Sequence, residues 1–158
     1  MKALTNPQQH SSVGKVRRTV VTPDQQDQSP YVSSAQTSAL LNSSLASRRE
    51  RLAAADMIST DEAALMVGSS RVTVNAWIAK GRCVGLTQSK RGFRLPKWQF
   101  EPAIWDHLAK LSAALGTTDG WALLTFLETP QGALDGATPR VALERGDVGR
   151  VLKLAAQE

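Results

Sequence analysis

The chain has 158 residues, 42% of them hydrophobic, with 19 lysines and arginines against 14 acidic residues and a formal charge of +5. That is enough apolar material for one or two small domains with a modest core, and too little for a large enzyme fold. One cysteine, Cys83, excludes an internal disulfide, and with only His10 and His107 beside it no four-ligand zinc site can be assembled.

The charge is unevenly spread. Residues 1–55 hold seven basic and three acidic side chains, residues 56–100 again seven and three, and residues 101–158 five and eight. A polyanion is attracted to the first two thirds, whereas the acidic last third is suited to contacting protein. The N-terminus lacks the apolar core of a signal peptide and no run approaches the ~20 apolar residues of a membrane span, so the expectation is a cytoplasmic protein with no membrane partner.

Residues 1–36 are rich in Gln, Ser, Thr and Pro, with Tyr31 as their only aromatic residue. They cannot bury enough apolar surface to offset chain entropy and read as a disordered arm. Lys15, Arg17 and Arg18 either add nonspecific attraction to DNA or belong to a plain solvated tail. In residues 37–55, Leu40, Leu41, Leu45 and Leu52 alternate with polar residues at roughly helical spacing. This predicts a short amphipathic helix that packs on the next domain or on a second copy of itself.

Residues 58–81, ISTDEAALMVGSSRVTVNAWIAKG, predict two short helices joined at a glycine, the pattern of a helix-turn-helix. Ser59 and Glu62 form a capping box, Ala63, Ala64 and Val67 share a face, and Gly68 supplies the turn. Ser70 caps a second helix whose Val74, Trp77 and Ile78 turn inward, ending at Gly81. Arg71, Val72, Thr73, Asn75 and Lys80 are left toward solvent, where such helices meet base edges and phosphates. Residues 82–97 follow with five basic residues and no acidic one: Arg82, Lys90, Arg91, Arg94 and Lys97. Two β-prone pieces flanking Ser89-Lys90-Arg91-Gly92 read as a hairpin wing, with Lys90 and Arg91 at its tip as phosphate contacts. The candidate DNA-binding residues are therefore Ser70, Arg71, Thr73, Asn75, Lys80, Lys90, Arg91 and Arg94, the domain spans 56–100, and the partner is double-stranded DNA.

Beyond the wing, Glu101 and Pro102 begin a helix with a stripe of Ile104, Leu108, Leu111 and Leu115 that stops at Gly116. Thr118 or Asp119 caps the next, holding Trp121, Leu124 and Leu127 and ending near Thr129-Pro130. Leu134-Asp135-Gly136 is a turn, Thr138-Pro139 starts a short helix closed by Gly146, and Asp147 opens a last helix with Val148, Val151, Leu152 and Ala155 on one side. The fold class predicted is mainly α: a winged helix-turn-helix with a small β-hairpin, followed by a C-terminal helical bundle over 101–158.

Two resemblances extend this reading. Residues 57–100 resemble the winged-helix DNA-binding domains of the MerR-like and excisionase-like families, through Ala63-Ala64, Val67-Gly68, Ser70-Arg71, Thr73-Val74, Trp77-Ile78, Gly81 and the basic hairpin leading to Arg94-Leu95-Pro96. Ser69 departs from the apolar residue these domains more often place in the turn. Residues 126–154 resemble the toxin-binding domain of Xre, MbcA and ParS antitoxins, through Thr129-Pro130, Leu134-Asp135-Gly136, Thr138-Pro139, the glycine turn at Gly146 and the final helix through Val151 and Leu152. The second resemblance implies an antitoxin and autorepressor of a two-gene operon, neutralising a cognate toxin that is commonly a RES-domain enzyme consuming NAD or transferring ADP-ribose. Arg150, Lys153, Gln157 and Glu158, free to point outward, are the candidate toxin contacts. The alternative is a stand-alone winged-helix regulator, or an excisionase-like accessory factor of a mobile element, in which 101–158 only dimerises. A homodimer is expected in either case, because winged-helix regulators read paired half-sites.

No catalytic grouping accompanies these motifs, and no cofactor is implied. There is no Ser/His/Asp set, no phosphate-cradling glycine loop and no metal-ligand spacing. Asp135 and Glu144, the nearest thing to a carboxylate pair, sit beside turn residues and read as caps or solvated charges.

Overall fold

The computed structural model describes residues 32–87 and 92–158, and the chain forms two units, residues 1–39 and 40–158. The arm at 1–31 and the wing tip at 88–91, with Lys90 and Arg91, lie outside the described residues. In the first unit Ser33 forms a capping box with Gln36, each side chain bonding the other's backbone amide at 3.2 and 3.0 Å, and this opens α1, Ser34–Leu52.

The second unit is mainly helical with one small antiparallel sheet. After α1 come β1 (Met57–Ser59), α2 (Thr60–Val67), α3 (Arg71–Ala79), β2 (Arg94–Pro96), a 3-10 turn at Lys97–Phe100, α4 (Pro102–Leu115), α5 (Gly120–Glu128), a 3-10 turn at Gly132–Leu134, α6 (Pro139–Glu144) and α7 (Val148–Ala155). β1 and β2 pair with Met57 opposite Pro96 and Ser59 opposite Arg94. Leu86 pairs with the other edge of Arg94 as an isolated antiparallel bridge, through two backbone hydrogen bonds of 2.8 Å. No helix among the described residues is long and apolar enough to cross a membrane.

Most boundaries follow from local chemistry read in the sequence. Ser59 caps α2 with the reciprocal Glu62 bond, Ser70 caps α3, Asp119 caps α5 and Thr138 caps α6 ahead of Pro139. Gly68 and Gly116 end α2 and α4 in the left-handed region at φ 65° and 67°, a conformation that costs a side chain. Asp147 stands at the start of α7 as expected, and does so without a side-chain capping bond.

The core decides how these elements combine. A small cluster joins Ala63, Ala64, Val74, Ile78, Cys83 and Leu95, so α2 and α3 pack on each other and on β2. A larger one joins Met57, Val84, Leu86 and Trp98 to Ile104, Leu108, Leu111, Leu123, Leu127, Leu143 and Val151. The expected division at residue 100 thus falls within one shared core. Gln99, fully buried, fixes the segment after α3 by receiving the Val84 amide at 2.6 Å and donating to the Val84 carbonyl at 2.9 Å.

The α1 helix is offset from the expected 37–55: its capped start puts residues 34–36, read as part of a disordered arm at 1–36, in helix, and it ends at Leu52; its leucines also divide. Leu52 packs on the larger cluster, whereas Leu40, Leu41 and Leu45 remain 64%, 60% and 49% exposed. The last turn is held by Arg51, which bridges Asp56 at 2.8 Å and Glu128 at 2.7 Å, and by Arg48, whose guanidinium lies 5.0 Å from the Trp121 ring.

Candidate nucleic-acid interface

Because Val74 and Ile78 are buried against Ala63 and Ala64, the opposite face of α3 is fixed outward. Arg71, Val72, Asn75, Ala76, Ala79 and Lys80 are all exposed on it. Val72, Asn75, Ala76 and Ala79 follow each other at i, i+3, i+4 and i+7, forming an uncharged stripe with Arg71 at one end and Lys80 at the other.

Ser70 and Thr73, both expected at this interface, are occupied by the helix start. The Ser70 hydroxyl accepts the Thr73 amide at 3.2 Å and lies 2.9 Å from the Thr73 hydroxyl, and Thr73 is half-buried. Arg71 reaches two neighbours: Nη1 lies 3.6 Å from the Asp61 carboxylate, and Nη2 is adjacent to Gly92 on the hairpin. Hairpin and helix start therefore share one surface. Arg94 is exposed on β2, and its charge, with the stronger hydrogen bonds from the Ser59 amide and hydroxyl, holds the Glu62 carboxyl below the usual range.

The remaining basic residues of 82–97 separate. Arg82 stacks over Trp77 at 5.3 Å and Trp105 at 5.4 Å, joining the end of α3 to α4. Lys97 is exposed and lines an open groove of about 690 Å3 with Asp56, Met66, Trp98, Phe100 and Arg140. Trp77, expected in the core, is half-buried and meets Trp105 edge to face with ring centres 5.3 Å apart. Its place at the edge of the smaller cluster comes from α4, whose indole at Trp105 no local pattern could locate. Cys83 behaves as an apolar residue: it is 1% exposed, and burial pushes its thiol up to about 12.

Of the four expected partner contacts, Lys153, Gln157 and Glu158 are exposed. Arg150 is exposed but not free, since its guanidinium donates to the Ala133 carbonyl at 2.7 Å and to Asp135 at 3.2 Å. The correction has a local cause: Asp135 adopts φ 58° in the turn before α6, which brings its carboxylate within reach of α7. Asp135 and Glu144 are each paired with an arginine, Glu144 with Arg140 one turn earlier at 3.0 Å. Sequence reasoning missed Asp61 as the counter-charge of Arg71 and left Val72 out of the interface set.

Comparisons with protein-family models, with curated proteins and with solved structures gave no match.

Proposed function

We propose that this protein binds double-stranded DNA through the exposed face of α3 and the adjoining hairpin, and that it serves as an autorepressing antitoxin. The observation that carries the DNA reading is the outward stripe of α3, uncharged and small-sided in its middle, bounded by Arg71 and Lys80 and adjoined by the hairpin at Gly92. In a major groove its small side chains permit close approach to the base edges, while cations at its margins meet phosphates.

Footprinting and anisotropy titration on the DNA upstream of the protein's own gene test this reading. A protected site is expected, with log affinity falling linearly in log salt at roughly 0.9 per phosphate contacted. A flat salt response with no protected site would reject it.

The antitoxin part rests on the resemblance of residues 126–154, with Lys153, Gln157 and Glu158 as the outward contacts and a RES-type enzyme as the partner. Exposed Leu40, Leu41 and Leu45 supply apolar surface for a second copy, as paired half-sites require. Because residues 56–100 and 101–158 share a core, the full chain is the proper reagent. Co-expression with the neighbouring gene is the test: rescue of growth supports the reading, and a neighbour harmless by itself leaves a stand-alone regulator.

A further inference from the structure

Val72 stands 78% exposed in the first turn of α3, flanked by Arg71 and one turn ahead of Asn75. Nothing in the folding of the helix asks for it there. A β-branched residue lowers helix propensity, an exposed one buries no area in return, and this first turn carries no acidic residue to complement the helix dipole. Where local rules are broken at several adjacent positions without a packing gain, the residues are set by what they contact.

The surroundings define that contact. Arg71 precedes Val72, Lys80 closes the same face and Arg94 is exposed on the neighbouring strand, so even with Asp61 beside Arg71 and Glu62 near Arg94 an apolar protein surface brought to Val72 would also meet charged side chains, with one cation in excess. A nucleic acid offers the reverse combination, phosphates outside and one apolar group within the major groove, the C5-methyl of thymine. RNA offers the phosphates but not the apolar group, because its major groove is too narrow for a helix and uracil lacks the methyl.

We infer that Val72 is a specificity-determining residue that packs its methyl groups on the C5-methyl of a thymine in the DNA major groove. Asn75, at i+3 on the same face, is placed to read a neighbouring base through its carboxamide, with adenine the base that matches both its donor and its acceptor. This inference rests on the DNA-binding reading above and adds to it a base and an atom.

The experiment begins by selecting a binding site for the full chain from a random duplex library, then replaces each thymine of that site in turn with deoxyuridine, which removes only the methyl. One such replacement should weaken the unmodified protein about fourfold, the factor for returning roughly one methylene to water. The Val72→Ala protein, with melting unchanged, should bind the thymine and uracil duplexes equally, and Val72→Thr, which keeps one methyl, should retain part of the difference. Persistence of the full difference in Val72→Ala, or no sensitive thymine at all, would overturn the assignment while leaving DNA binding intact. Failure to enrich any sequence would defeat the DNA reading itself, and this inference with it.

Discussion

Gly85 and Gly120 meet backbone to backbone: a Cβ placed on Gly120 would fall well inside van der Waals contact with the Gly85 carbonyl oxygen. Gly85 precedes the Leu86–Arg94 bridge and Gly120 opens α5, so the segment proposed to face DNA is seated directly on the C-terminal helices. Gly120→Ala should force the segments apart, costing roughly 2–3 kcal/mol and weakening DNA binding through the displaced hairpin. Gly149, in α7, has nothing within 4 Å of its would-be Cβ, and Gly149→Ala should add about 0.5–1 kcal/mol. Thermal melts compare the three proteins, and a Gly120→Ala protein that melts with the parent would disprove the contact.

Asp61 lies beside Arg71, and on the proposed DNA-binding reading it competes with phosphate for the guanidinium. The pair is 3.6 Å apart with both side chains well exposed, so it contributes little to stability. Asp61→Asn should leave melting nearly unchanged and strengthen DNA binding several-fold, since it removes a negative charge from the interface and releases the guanidinium. Arg71→Ala should weaken specific binding by ~1–3 kcal/mol, and Lys80→Ala should flatten the salt dependence by about one unit. Anisotropy titrations at several salt concentrations read all three, and weaker binding by Asp61→Asn would contradict the arrangement.

Asp56 ties α1 to the sheet and to Trp98. Its carboxylate takes two hydrogen bonds of 2.8 Å from Arg51 and one of 3.1 Å from the Trp98 indole, and the Arg51 bonds hold its pKa below the usual 3.8 despite partial burial. A carboxyl whose folded pKa is depressed contributes stability above its unfolded value and loses it as pH falls through the folded value. Asp56→Asn should therefore melt lower than the parent at neutral pH, with the gap closing as pH falls below the usual 3.8 and through the lowered folded value. A gap constant over that range would place the effect elsewhere.

Trp77 and Trp105 fix where the end of α3 lies. Trp77→Ala should cost about 2 kcal/mol, less than the ~3–5 of a fully buried tryptophan, because its ring is half in solvent. Arg82→Ala should cost about 0.5–1 kcal/mol by losing its place over both indoles. Melting and intrinsic fluorescence follow both changes, and unchanged emission in Arg82→Ala would argue against the stacking.

Arg150 and Lys153 are no longer equivalent probes of a partner surface. Arg150→Glu places a carboxylate against Asp135 and deserts the Ala133 carbonyl, and should cost about 1 kcal/mol before any partner is considered. Lys153→Glu should leave melting unchanged and, in co-expression, abolish protection from the neighbouring gene product while DNA binding persists. Protection that survives Lys153→Glu, Gln157→Ala and Glu158→Lys together would remove this end of the chain from the partner contact.

What the sequence determined by itself was local. Ser59, Ser70, Asp119 and Thr138 start helices because each side chain bonds an amide two or three residues on, and Gly68 and Gly116 stop them because φ there is positive, interactions that close within a single turn. The Ile104, Leu108 and Leu111 stripe was legible for the same reason, since periodicity alone selects the buried face. Which faces meet which is a matter of long-range packing. Only the tertiary structure brought Met57, Val84 and Leu86 into one core with α4 to α7, set Trp77 against Trp105, took Arg82 from the basic set and turned Arg150 onto Asp135. Apart from Arg82 over its near neighbour Trp77, those contacts join residues far apart in the chain, and their geometry depends on how whole helices cross rather than on any spacing along it.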